Sequence, residues 1–263
     1  MSKFLNAVIL AVASLVGVAA FLYPFFVPQP SSATLGALSH AADAPFLFIV
    51  LIAICLGAIL TNLQSRQINS KMIAVLAILT AVNAVLRAVP GPAGFAAVFF
   101  LPILVGYCYG ATFGFLLGAL SLLVSAFMGA GVGPWLPFQM FATGWIGMAS
   151  AWLPKMRRWP RLEVLVLTGW GLAWGFAFGA AMNLWFWPFT FDPTQTALYW
   201  QPGIGAIETL KRYIAFYVIT SFWWDLGRAA GNALLLLLFG APILRLLRRF
   251  QARFQFRVQP LIG

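Results

Sequence analysis

In the last apolar stretch of the chain, Asp225, Arg228 and Asn232 stand at i, i+3 and i+7. In a helix that spacing puts all three on one face. A carboxylate, a guanidinium and an amide can together accept and donate hydrogen bonds to a polar ligand. The competing reading is an intrahelical ion pair that only locks neighbouring helices. Asp225 lies about 12 residues into the stretch, so roughly 18 Å along it at ~1.5 Å per residue. A charge so far inside an apolar segment is costly, which makes it a site candidate.

Polar groups elsewhere reinforce the pattern. Asn83 and Arg87 share a face at i, i+4 near the end of an earlier apolar run. Arg87 can equally snorkel to an interface. Asn183 precedes the aromatic run Trp185-Phe186-Trp187, which also fits an interfacial belt. Gln139 follows the rigid stretch Gly133-Pro134-Trp135-Leu136-Pro137. Together with Trp135, Trp187 and the segment 188–212, these groups could line one pocket for a mostly apolar, hydrogen-bonding small molecule.

Other chemistries lack their residues. None of the four lysines (Lys3, Lys71, Lys155, Lys211) follows a glycine, so no phosphate-cradling G-x-x-x-x-G-K-[ST] loop exists. The one histidine, His40, falls between apolar runs in an outer loop, so no histidine-based metal cluster forms. The five acidic residues include no pair with catalytic spacing. Cys55 and Cys108 lie inside apolar runs and read as packing residues. No catalytic residue, metal site or cofactor is expected, and an intramembrane enzyme is poorly supported.

The elements that must position these groups follow from composition. The chain of 263 residues is 62% hydrophobic and 8% charged, too little charge to cover a soluble surface. Apolar runs of about 20 residues recur, each long enough to cross a bilayer as a helix. The expected fold is all-α, a polytopic membrane bundle of about eight transmembrane helices, at 4–27, 45–63, 72–89, 96–108, 111–128, 136–154, 163–187 and 213–244. The first run has small residues at Val18 to Ala20 but continues through Phe25, so it reads as an uncleaved helix rather than a signal peptide.

The net charge of +11 does not point to nucleic acid. Its arginines gather in the loop Lys155 to Arg161 and in the tail with Arg245, Arg248, Arg249, Arg253 and Arg257. With a cytoplasmic N-terminus, these clusters and the link holding Arg66 and Lys71 all face the cytoplasm, as the positive-inside rule requires. Lys211 and Arg212 are the exception. Both termini of a multi-pass cell-membrane protein are then cytoplasmic. The expected organisation is two N-terminal helices and a polar link (1–71), a six-helix core (72–250) and a basic tail (251–263).

Ala77 and Ala81, then Ala84 and Ala88, give small-xxx-small spacing that lets another helix approach closely, within the chain or outside it. The stretch Gly110 to Leu153, with Gly114-Phe115-Leu116-Leu117-Gly118-Ala119 and Gly133-Pro134-Trp135-Leu136-Pro137-Phe138-Gln139, resembles the substrate-binding S components of energy-coupling-factor (ECF) vitamin transporters. The last helix with Asp225, Arg228 and Asn232 adds to the likeness, which covers about 72–250. The resemblance implies that the chain binds a vitamin or related micronutrient from outside, while a T component and two ATPase subunits energise release. It also implies that the stripe of Ala77, Ala81 and Ala84 docks on the T component. Similarity to extended, eight-helix members implies a corrinoid such as cobalamin. A membrane scaffold without a small ligand is the alternative.

Overall fold

The computed structural model describes residues 2–27, 39–64, 70–88, 91 and 95–254. The polar link around Arg66, the prolines Pro90 and Pro92, and Arg257 of the basic tail lie outside the described residues. Every regular element among those described is helical. They are α1 (Ser2–Leu22), α2 (Ala44–Gln64), α3 (Ser70–Ala88), α4 (Phe100–Tyr109), α5 (Ala111–Ser125), α6 (Leu136–Ser150), α7 (Pro160–Phe186), α8 (Ala206–Thr220) and α9 (Phe222–Phe254).

Six stretches are long and apolar enough to cross a membrane: those of α1, α2, α3, α5, α7 and α9. The chain is therefore a multi-pass helical membrane protein. α4 and α6 are shorter and sit in the middle of the bundle, where Phe99, Ile103, Leu104, Leu116, Leu117, Phe138 and Phe141 are buried. Apolar residues such as Phe4, Leu15, Ile78 and Trp223 point outward instead, as a lipid-facing surface permits.

One expected span is corrected. The run read as a single helix over 213–244 is two helices. α8 begins earlier, at Ala206, and ends at Thr220. Ser221, with φ −124°, leaves the helical region before α9 starts. The Ser221 hydroxyl donates to Asn183 Oδ1 at 2.9 Å, so the break is held by the facing helix.

Close backbone approach builds the core. A Cβ added at Gly114 would run into the carbonyl of Gly147, and one at Gly118 into that of Thr143. The Gly114-x-x-x-Gly118 spacing thus lets α5 and α6 touch along their backbones. On the other side of the bundle Gly171, Gly175 and Gly179 of α7 recur every fourth residue and receive Leu236, Ala229 and Asp225 of α9.

The two ends of the bundle differ in charge. At one end Tyr107 Oη lies 2.6 Å from Glu163 Oε1 and accepts from Met156 N at 3.0 Å. Arg248 donates to Glu163 at 2.5 Å, and Gln251 donates to the Cys108 carbonyl at 3.1 Å. These bonds gather the Lys155–Arg161 loop and the arginine-rich end of α9 on one side. Burial lowers the ability of Lys155 to hold its proton below the ordinary lysine value. Lys211 and Arg212 lie at the opposite end, where Arg212 pairs with Glu208 and donates to the carbonyls of Thr196 and Tyr199.

Candidate functional site

The polar side chains picked out by their spacing form a layer away from the arginine-rich end. They do not surround a single open pocket; they divide into three groups. In the first, Arg87 of α3 crosses to α5 and α6. It donates to Ser125 Oγ at 2.6 Å and to Gln139 Oε1 at 2.8 Å. The guanidinium is thus held inward by two neutral acceptors rather than snorkelling. No acidic group offsets its charge in these contacts, so the arrangement can still accept an anionic or strongly hydrogen-bonding ligand group.

The second group grips the segment that enters α4. Asn83, fully buried, donates to the Val98 carbonyl at 3.1 Å and to Ser121 Oγ at 2.8 Å. Asn232, also fully buried, donates to the carbonyls of Ala96 at 3.1 Å and Arg228 at 2.9 Å. Its Oδ1 accepts from Phe99 N at 3.3 Å. The two amides hold residues 96–99 from opposite sides. Asn232 has its hydrogen bonds satisfied within the chain, whereas Asn83 Oδ1 is buried without a partner.

The third group lies between α7, α8 and α9. Asp225 pairs with Arg228, as the i, i+3 spacing predicts. Its carboxylate fits over Gly179, where any side chain would collide with it. The Tyr217 hydroxyl faces the same carboxylate, and the Arg228 guanidinium lies 5.3 Å from the centre of the Phe178 ring. Asn183 is 5% exposed, accepts from Ser221 and keeps a buried Nδ2 without a partner.

The expected aromatic residues separate. Trp187 is fully buried, and its Nε1 donates to the Leu198 carbonyl at 2.9 Å. With Phe25, Leu184, Trp200 and Tyr213 it borders a cavity of about 420 Å³ between the end of α1 and the start of α8. Trp135 is half-buried and lies over Gly133. A second cavity of about 420 Å³ opens between the start of α2 and the loop before α6, lined by Pro45, Phe48, Gly133 and Pro137 among others.

His40, placed by sequence in an outer loop, is 3% exposed. Its ring packs against Phe138 (4.4 Å between ring centres), Phe189 (4.7 Å), Tyr23 (5.6 Å) and Trp185 (6.0 Å). Nδ1 lies 2.7 Å from Asp43 Oδ2. Sequence spacing carries no signal for this cage, nor for Ser121, Ser125 and Tyr217, because each joins its partners across helices.

On α3, Ala77 and Ala81 face outward beside Ile78 and Val82. Ala84, placed in the same stripe by sequence, is fully buried and faces α5 rather than a partner. The N-terminal pair packs on α6 and leaves this outward face of α3 uncovered. Among the described residues no group of three or more His, Cys, Asp or Glu side chains is placed to hold a metal ion.

Helices long enough to cross a bilayer, a glycine-packed core and a buried polar layer towards one end define a multi-pass helical membrane protein. Residues 71–240 match the family model of the ECF transporter substrate-specific component. The chain belongs to that family, whose members are the substrate-binding subunits of ECF transporters and not enzymes. Neither a curated protein nor a solved structure matches the chain.

Proposed function

We propose that the chain captures a vitamin or related micronutrient outside the cell and delivers it through a T component energised by two ATPase subunits. The observation that carries this reading is the inward-held Arg87, clasping Gln139 and Ser125 with no acidic partner in those bonds. A half-buried cation inside an apolar bundle, bonded only to neutral groups, is expensive unless something negative or strongly accepting visits it. Asn83, Arg87, Trp135, Gln139, Asn183, Trp187, Asp225, Arg228 and Asn232 form the ligand-binding set in this proposal. Arg87, Gln139 and Asn183 make direct contact, while Asn83 and Asn232 hold the wall and Trp135 and Trp187 border it.

The arginine-rich end is the cytoplasmic one, both termini lie there, and the polar layer opens outward across the cell membrane. α4 and α6 supply the two short crossings that bring the count to eight: α4 runs from the Asn83–Asn232 level to Tyr107, and α6 runs from Gln139 to Ser150. The two N-terminal helices are an addition to the six-helix core. Ala77 and Ala81 present the face on which the T component docks. A corrinoid, which the eight-helix resemblance implies, is larger than either 420 Å³ cavity, so the outer loops must part to admit it.

Co-expression with a T component and two ATPase subunits tests the assignment. A complex that retains this chain through purification and takes up a micronutrient only when ATP is hydrolysed supports it. A chain that assembles with other membrane proteins but never with such a module favours the scaffold reading.

A further inference from the structure

Four aromatic rings and a carboxylate surround His40 at the junction of two parts of the chain. Phe138, Trp185 and Phe189 belong to the family-matched region. Tyr23, His40 and Asp43 come from the N-terminal extension that precedes it. The cage sits among the proposed ligand contacts: Phe138 adjoins Gln139, and Asn183 and Trp187 flank Trp185 in sequence. The histidine does not sit there comfortably. Its backbone is left-handed, with φ +58°, which a non-glycine residue adopts only under constraint. Its Nε2 is buried without a partner, and so is Nε1 of Trp185 beside it. Asp43 is the exposed edge of the cage, its side chain 26% accessible.

Rings whose faces are negative, with one carboxylate at the rim, are the arrangement that recognises a flat organic cation. We infer that this cage is a binding site for a planar nitrogen-heterocyclic cation, and that the chain's own His40 occupies it as a displaceable stopper. The inference deepens the proposed function by naming the chemistry of the substrate at the outer mouth, and it rests on that reading for its biological role. Asp43 supplies the counter-charge, Trp185 lies nearly parallel to the imidazole at 21° and Phe138, Phe189 and Tyr23 wall it at 49°, 60° and 79°, and Trp185 Nε1 is freed to donate when the imidazole leaves. The turn itself survives the exchange, because the Ala44 amide is held by the His40 backbone carbonyl at 2.9 Å, not by its side chain.

The test uses the full chain in detergent and two probes of one shape: N-methylpyridinium, a permanent flat cation, and toluene, its uncharged counterpart. His40→Gly empties the cage and relaxes the left-handed backbone. This variant should bind N-methylpyridinium about ten-fold more tightly than toluene, read by calorimetry and by the rise in melting temperature. Adding Asp43→Asn should erase the preference, and the wild-type chain, which must first displace His40, should bind N-methylpyridinium more weakly than His40→Gly does. If His40→Gly yields no folded protein, His40→Asn, which also tolerates positive φ, carries the same titration. Equal binding of the two probes makes the cage an ordinary apolar hole and overturns the inference. Failure of both variants to bind N-methylpyridinium overturns it too, as does wild-type binding of equal strength. None of these failures touches the transporter reading. Conversely, a chain that binds the probe but carries no substrate in any preparation keeps the cage and loses the transport role.

Discussion

The Asp225 carboxylate rests on Gly179 of the helix opposite, in the space that a side chain at position 179 would need. The contact is the last of three along α7, after Gly171 and Gly175, that let α9 lie against it. Gly179→Ala should therefore push the Asp225–Arg228 pair out of place and destabilise the bundle by about 1–3 kcal/mol. Gly169 on the same helix has nothing within 4 Å of where its Cβ would stand. Gly169→Ala should be neutral or stabilising by up to about 1 kcal/mol. Thermal melting of the two variants side by side checks the contrast, and equal melting temperatures contradict it.

Gln139 and Asn232 separate binding from architecture. Gln139 adds one hydrogen bond to Arg87, while Asn232 ties the α4 entry to α9 with two and makes a third within α9 to the Arg228 carbonyl. Gln139→Ala should weaken substrate binding about five- to 150-fold, from about 1–3 kcal/mol, with little change in melting. Asn232→Ala should lower the melting point first, because it leaves the Phe99 amide and the Ala96 carbonyl without their partner. Ligand titration beside melting distinguishes them. A Gln139→Ala protein with unaltered affinity moves the site away from Arg87.

The docking face gives a third contrast. Ala81→Trp should abolish retention by the T component while leaving substrate affinity intact, since Ala81 faces outward. Ala84→Trp should instead disrupt the fold, since Ala84 is fully buried. Pull-down with the T component and a melting curve are sufficient. Undiminished assembly with Ala81→Trp removes the docking role from this face.

Topology is tested by single-cysteine labelling. A cysteine at Trp159, in the arginine-rich loop, should react with an impermeant reagent only from the cytoplasmic side. One at Thr194, itself exposed in the segment before α8, should react from outside. The reverse pattern would invert the orientation and place the polar layer at the cytoplasmic end.

Most helices were legible because apolar runs bounded by charge or proline leave few alternatives in a bilayer. The break at Ser221 was not, because neither glycine nor proline marks it. The Asp225–Arg228 pair was legible because helix spacing encodes it. The Arg87–Gln139 bond, the two-sided grip of Asn83 and Asn232 on residues 96–99 and the burial of His40 depend on which helices become neighbours. Side-chain spacing within one helix carries no record of that. Ala84 shows the same limit: its i+3 position from Ala81 shares the small-residue pattern, yet the helix turns it towards α5.

In the proposed function this chain holds a small substrate without its partner subunits. Native mass spectrometry of the detergent-purified chain, expressed in rich medium without partner subunits, tests it most directly. One bound micronutrient-sized molecule per chain is expected, and it should be lost when Gln139 and Arg87 are both replaced by alanine. A wild-type chain that flies without any bound molecule, from media supplemented with vitamins as well as from rich medium, would contradict it.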